Sequence, residues 1–282
     1  MTKLLVSVLI AAVCLPAGVV AASEPESLRQ AAEEGATEDQ YRYAAALEAA
    51  GQYKRAVRWY ERAAGDSPEA ALALAECLLD GRGTRADPVK AVALLKDASG
   101  AGLVRAQYLL GLQYQEGNGV GHDVEAAARW LGAAADFGDA GAQMRAGLMA
   151  LNGVGMRRDA GIGLAWLRDA AHAGDETAQL NLGLFHLSGR AGVKQDDAAA
   201  ARWFHKAAEH RNATALFNLG ALYARGTGVD QDLVEAHKWF ELARLAGDQT
   251  AGQARDQVGG ALTPAGLRRS AQLVDAWLGE RR

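Results

Sequence analysis

The sequence predicts an all-α protein, an α/α solenoid of helix-turn-helix repeats that ends in a C-terminal capping helix. Three observations predict it: a large apolar position recurs every 36 or 37 residues, two glycines precede it at the same step, and an aspartate follows each glycine pair. Self-similarity at a period of about 20–50 residues is typical of solenoids, in which stacked units bury a shared core. The recurring apolar positions are Leu94, Trp130, Trp166, Trp203 and Trp239.

The first residues indicate export. An apolar run extends from Leu4 to Val13, but Pro16 follows it and the run is too short to span a bilayer. We therefore interpret residues 1–22 as a cleaved secretory signal and expect a periplasmic or secreted protein without a transmembrane segment. An outer-membrane lipoprotein anchored at Cys14 is disfavoured, because the preceding valine is bulkier than the residue usual at such sites.

Charge and cysteine usage exclude several classes of function. The chain carries 30 basic and 34 acidic residues, a formal net charge of −4, and the two signs are interspersed. A nucleic-acid-binding protein would show a basic patch, so we expect no nucleic-acid partner. Only Cys77 follows the signal, and its neighbours in LALAECLLD are typical of a small buried residue rather than a nucleophile.

Each repeat is predicted to contain two helices joined by a glycine turn. In AQYLLGLQYQEG the apolar residues share one helical face, and Gly117 ends the helix. Asp123 then stands at the expected N-cap of the second helix. We interpret these positions as turns and caps rather than a phosphate loop or catalytic carboxylates, because they recur in every unit and no β-strand precedes them. The assigned turn and cap residues are Gly117, Gly119, Asp123, Gly153, Gly155, Asp159, Gly226, Gly228 and Asp232.

The repeats resemble the Sel1-like repeat of the tetratricopeptide-like helical superfamily, most closely in RAQYLLGLQYQEGNGVGHDVEAAARWLGAAADFG and ATALFNLGALYARGTGVDQDLVEAHKWFELARLAG. The resemblance covers five units at residues 67–247 and implies a right-handed superhelix. The first unit departs most, with Leu94 and Ala75 in place of the family's tryptophan and glycine. Residues 23–66 contain a hairpin that resembles an ordinary tetratricopeptide repeat, and residues 248–282 are predicted to form capping helices.

In this superfamily the first helices of successive hairpins line the concave side, where ligands usually bind. The resemblance therefore implies a non-enzymatic, monomeric scaffold, without a cofactor, that binds a protein or peptide partner through its concave face. The residues predicted for that face are Leu72, Arg105, Tyr108, Leu112, Met144, Leu148, Leu180, Leu184 and Phe217. Such an apolar row suits an amphipathic helix or an extended apolar peptide. The alternative is that these side chains touch adjacent first helices and belong to the core.

Two further functions stay open. Some family members are structural parts of envelope machines, such as flagellar motors, secretion systems or exopolysaccharide complexes. Others, rich in cysteine, show β-lactamase-like penicillin-binding activity, but this chain lacks their paired cysteines and any G-x-S-x-G or S-x-x-K motif. The six histidines have no metal-ligand spacing, so we predict no metal site.

Overall fold

The computed structural model describes residues 26–280, and the predicted signal segment 1–22 lies outside them. The described residues form fifteen α-helices and no β-strand, which confirms the predicted all-α solenoid. No helix between residues 26 and 280 is long and apolar enough to cross a membrane. The helices are α1 (Glu26–Glu33), α2 (Thr37–Ala49), α3 (Tyr53–Ala63), α4 (Pro68–Asp80), α5 (Pro88–Gly100), α6 (Val104–Glu116), α7 (Val124–Asp136), α8 (Ala140–Asn152), α9 (Ala160–His172), α10 (Glu176–Ser188), α11 (Asp197–Glu209), α12 (Ala213–Arg225), α13 (Leu233–Leu245), α14 (Ala251–Gly259) and α15 (Pro264–Gly279).

Helices α4 to α13 form five hairpins, each with a first helix of even number and a second helix of odd number. Every helix packs on its neighbours in the chain, within the hairpin and across to the next one. The first helices end at glycines in the left-handed region, for example Gly117 at φ 70° and Gly153 at φ 70°. This conformation releases the helix into a turn at no cost in side-chain strain.

Aspartate caps start the second helices. One carboxylate oxygen of Asp123 accepts hydrogen bonds from the backbone N–H groups of Glu125 at 3.0 Å and Ala126 at 2.9 Å. Such bonds satisfy donors that the first turn of a helix leaves without a partner. The same cap occurs in the other four hairpins, at Asp87, Asp159, Asp196 and Asp232.

Small residues let the two helices of a hairpin approach closely. A Cβ atom added at Gly111 would lie 2.7 Å from Leu131 Cγ, and one at Gly183 would lie 2.5 Å from the Phe204 ring. The first hairpin has Ala75 at this position, fully buried, so its divergence from the family pattern still leaves a small residue at the contact.

The C-terminal helices cover the last hairpin. The Asp248 carboxylate accepts the backbone N–H of Ala251 at 2.9 Å and so starts α14, while the Thr263 hydroxyl accepts from Gly266 at 3.2 Å and starts α15. Helix α13 packs on both. The Trp277 ring of α15 then lies edge-on to Trp239, with 6.3 Å between ring centroids.

Candidate functional site

The nine residues predicted for the concave face lie on α4, α6, α8, α10 and α12, at matching positions one repeat apart. We call these nine residues the first-helix row. Arg105 is exposed and the other eight are half-buried. The row is therefore an intermediate case, in which the side chains contact the core and keep part of their surface in water.

Contacts across repeat boundaries explain this half-burial. Tyr108 and Leu112 pack against two core clusters, one on the N-terminal side of α6 and one shared with α8. Leu180, Leu184 and Phe217 border a single cluster further along the chain, although they come from α10 and α12. Tyr108 and Leu112 thus bridge neighbouring first helices, and the apolar members of the row recur on all five first helices as an apolar strip.

Tyr108 is the best-defined element of the row. Its ring lies over Gly141 of α8, where an added Cβ would be only 3.1 Å from the phenol oxygen. The Arg105 guanidinium lies 5.5 Å from the same ring centroid, and its Nε donates to the Glu76 carboxylate of α4 at 3.1 Å. Three consecutive first helices therefore meet at this ring, with a polar edge beside the apolar strip.

Polar groups along the strip form hydrogen bonds with their neighbours. Asn212 Nδ2 donates to Glu176 Oε1 at 2.6 Å, and Arg145 Nη1 donates to Gln115 Oε1 at 3.4 Å. These bonds link first helices of adjacent repeats. Neither bond pairs opposite charges, so Glu176 and Arg145 place one negative and one positive charge beside the row without a concentration of either sign.

An apolar pocket ends the row on the C-terminal side. The Phe217 ring packs edge-on against Phe240, with centroids 5.2 Å apart, and beside it lies a pocket of about 360 Å³ lined by Ala221, Phe240 and Val258. Sequence reasoning missed this pocket because it depends on how α14 packs beside α12. One signal could have located it, since Asp248 stands one repeat after the cap residue Asn212.

The candidate nucleophiles are inaccessible. Cys77 is fully buried, and burial raises the pKa of its thiol to about 11, so the thiolate is scarce at neutral pH. Ser270 shares a 2.9 Å hydrogen bond with His237 Nδ1, a pair that the sequence motifs did not indicate, but Ser270 is also fully buried. In residues 26–280 no cluster of three or more His, Cys, Asp or Glu side chains is arranged to hold a metal ion.

The turn glycines are placed at the joints between repeats. Gly119 has φ 72°, and an added Cβ there would fall 2.2 Å from the Pro88 carbonyl oxygen of α5. A Cβ atom added at Gly155 would likewise fall 2.0 Å from the Val124 carbonyl oxygen of α7. Backbone thus meets backbone at these turns, which leaves no space for a ligand.

These features define a helical-repeat solenoid, and comparison with known proteins assigns its family. The model of the Sel1 repeat matches residues 39–65, 68–103, 104–139, 140–175, 177–212 and 213–248. The chain therefore belongs to the Sel1 repeat family, whose repeats are typically protein-interaction modules. The first matched segment contains the hairpin of α2 and α3, which by its residues resembles an ordinary tetratricopeptide repeat.

Solved structures of the same fold are similar to the chain. The antigen c5321 of uropathogenic Escherichia coli strains, which displays an SLR fold, is 28% identical with a TM-score of 0.79. That match covers 88% of this chain and 56% of the antigen, so this chain spans little more than half of that relative. A Sel1 repeat protein from Oxalobacter formigenes is 25% identical with a TM-score of 0.70, over 86% of this chain and 96% of its own. A search of curated proteins gave no match.

Proposed function

We propose that this protein is a non-enzymatic scaffold that binds a partner protein or peptide through the first-helix row on its concave face. The observation that supports it is the set of half-buried apolar side chains that recur at matching positions on five first helices. Half-exposed apolar side chains lose their remaining contact with water when a partner covers them, which favours association. Buried aromatic and aliphatic anchors dominate such interfaces.

The chemistry of the row favours an amphipathic helix or an extended apolar peptide as the partner. The Arg105–Glu76 pair and the lack of a concentration of one sign at the flanks favour apolar contact over recognition of a strongly charged tail. The pocket beside Phe240 has a volume of about 360 Å³, which leaves room for a large apolar side chain of the partner.

The same proposal includes export. The charge and apolar pattern of residues 1–22 supports a cleaved signal and a periplasmic location. N-terminal sequencing of the protein from fractionated cells tests this: we expect a periplasmic chain that begins at Ser23. A full-length chain in the cytoplasmic fraction would contradict it.

The row is tested by a matched pair of triple variants. The first replaces Tyr108, Leu148 and Leu184 of the row by Asp. The control places Asp at three exposed apolar residues on or next to second helices: Val89, Phe137 and Ile162, which are 68%, 73% and 48% exposed. Tagged protein recovered from envelope extract should retain the partner in the control and lose it in the row variant, with the same helical spectrum in both.

Recovery of the same partner by a folded row variant would contradict the proposal. If the triple variant unfolds, the double variant Leu148→Asn and Leu184→Asn replaces the test, since Asn keeps nearly the same shape and removes the apolar surface. Equal thermal midpoints of the double variant and wild type then assign any lost binding to the row itself.

A further inference from the structure

One joint between repeats differs from the other four. An added Cβ at the second turn glycine would collide with backbone of the preceding second helix in four hairpins, at 2.0–2.4 Å. Those glycines are Gly83, Gly119, Gly155 and Gly228. At Gly192 the nearest atom to an added Cβ is the Ala160 Cβ, at 3.8 Å. The turn before α11 therefore lies more than an ångström farther from α9 than each of the other four turns lies from its preceding second helix.

An extra residue causes this separation. The turn reads GRAG from Gly189 to Gly192, one residue longer than its equivalents. Ala191 adopts φ 57°, a left-handed conformation that alanine takes only with strain. Val193 then folds inward and is 8% exposed.

The open joint contains a polar pocket of about 480 Å³. Its lining includes Arg168 of α9, His186 of α10, and Lys194 and Asp196 of the turn. Arg202 lies close enough to act electrostatically on His186 and Asp196. Side chains from both neighbouring repeats therefore converge on this space.

The cations of this joint lack carboxylate partners. Within the described part of the chain, no ion pair includes Arg168, Lys194 or Arg202. Some basic side chains elsewhere do form ion pairs, for example Lys90 with Glu61 at 2.9 Å.

The nearby carboxylates are already engaged. Asp196 accepts the backbone N–H of Ala199 at 2.8 Å as a helix cap, and Asp197 accepts from Gln195 Nε2 at 3.3 Å. Both carboxylates keep their charge, so the two cations that line the pocket, Arg168 and Lys194, exceed its one carboxylate, Asp196, by a single positive charge.

His186 adds a titratable donor. Its position in the repeat holds tyrosine in two other hairpins, at Tyr114 and Tyr223. Burial lowers the pKa of the His186 imidazole, and Arg168 and Arg202 lower it further, whereas Asp196 and the Lys194 backbone raise it. An anion in the pocket would favour the protonated ring and raise this pKa.

We propose that the open joint is a binding site for a phosphomonoester, whose phosphoryl group is held by Arg168, Lys194 and His186. A guanidinium, an ammonium and an imidazolium supply donors that suit the oxygens of a tetrahedral dianion. The pocket exceeds the size of phosphate alone and accommodates a small polar group attached to it. The site is separate from the first-helix row and does not depend on the scaffold function.

The test is titration of the full-length mature protein with inorganic phosphate and with glycerol 3-phosphate, followed by NMR of the His186 ring. We expect saturable binding and a rise in the His186 pKa. Arg168→Gln and Lys194→Gln should each weaken binding about tenfold or more, since each removes a charge-assisted hydrogen bond. Lys206→Gln is the matched control, because Lys206 lies on α11 but stacks over Trp203, outside the pocket.

Deletion of Ala191 gives a second, independent variant that keeps every cation. It restores the 36-residue step, so the joint should close and phosphate binding should disappear. Unchanged binding in Arg168→Gln or in the Ala191 deletion would overturn the proposal. So would acetate binding as tightly as phosphate, or a His186 pKa that does not respond to either phosphate ligand.

Discussion

The joints at Gly119 and Gly192 show two ways of stacking the same repeat. At Gly119 the turn backbone presses on the Pro88 carbonyl, and only a residue without a side chain fits. At Gly192 the turn is one residue longer, and an added Cβ would meet only the Ala160 methyl group, at 3.8 Å. Close backbone contact at a glycine therefore fixes how one repeat sits on the next, and one inserted residue exchanges that contact for a polar pocket.

A second contrast concerns the matching position of two second helices. Arg168 of α9 has its equivalent in Glu241 of α13, two repeats later. Glu241 is fully engaged, since it accepts from Arg244 Nη2 at 2.7 Å and Arg255 Nη1 at 2.6 Å. Arg168 has no such carboxylate among residues 26–280. The same place in the fold is thus a structural ion-pair network at one joint and an open cationic pocket at the other.

The largest expected effect separates the two turns directly. Gly119→Ala should lower the free energy of unfolding by about 3–4 kcal/mol, because it adds both left-handed strain and a backbone clash. Gly192→Ala should lower it by only about 1–2 kcal/mol, because it adds the strain alone. Urea denaturation followed by helical circular dichroism measures both. Equal losses would show that the joint at Gly192 is as closed as the others.

A smaller effect probes the Glu241 network through pH. The Arg244 side chain, by its hydrogen bond, and then Arg255 hold the pKa of Glu241 down to about 2, although burial opposes them. A carboxylate with a lowered folded-state pKa stabilises the protein above about pH 4.5, its ordinary pKa, and this stabilisation fades as pH falls towards 2. Glu241→Gln should therefore cost about 1–2 kcal/mol at pH 7 and little near pH 2.

Thermal denaturation of wild type and Glu241→Gln between pH 7 and pH 2 gives this comparison, with partly folded samples at low pH excluded by their spectra. The curves should converge as pH falls. Parallel curves would mean that Glu241 contributes nothing through its charge, and the contrast with Arg168 would lose its basis.

The smallest effect concerns strain at the turn that follows α11. Arg211 adopts φ 61°, where every other hairpin from α4 to α13 has glycine with φ 88° to 100°. Arg211→Gly should stabilise the protein by about 1 kcal/mol. It removes the left-handed strain from the folded state, and the greater conformational entropy of glycine in the unfolded chain offsets part of that gain. Gly174→Ala at the equivalent position is the control and should destabilise. A destabilised Arg211→Gly would show that the arginine side chain makes a contact that outweighs its strain.

Much of the fold could be predicted from the sequence because local rules fix it. Glycine turns such as Gly117 and caps such as Asp123 follow from backbone conformation and hydrogen bonding within a few residues. The half-burial of Leu148 could not be predicted, since it depends on how tightly the first helices stack.

The open joint lies between these cases. The extra residue in GRAG is visible in the sequence, but the gap it opens between Gly192 and Ala160 appears only in three dimensions. The pairing of Ser270 with His237 and the pocket beside Phe240 likewise depend on the packing of α14 and α15, which no repeat pattern specifies.

The central claim is that the partner binds on the first helices rather than at the turns between them. Site-specific photo-crosslinking in intact cells tests it most directly, with the photoreactive residue placed at Leu148 of the row or at Val154 of the following turn, which is 45% exposed. The account predicts one discrete crosslinked partner from Leu148 and none from Val154. Crosslinking of that partner from Val154, with none from Leu148, would contradict it.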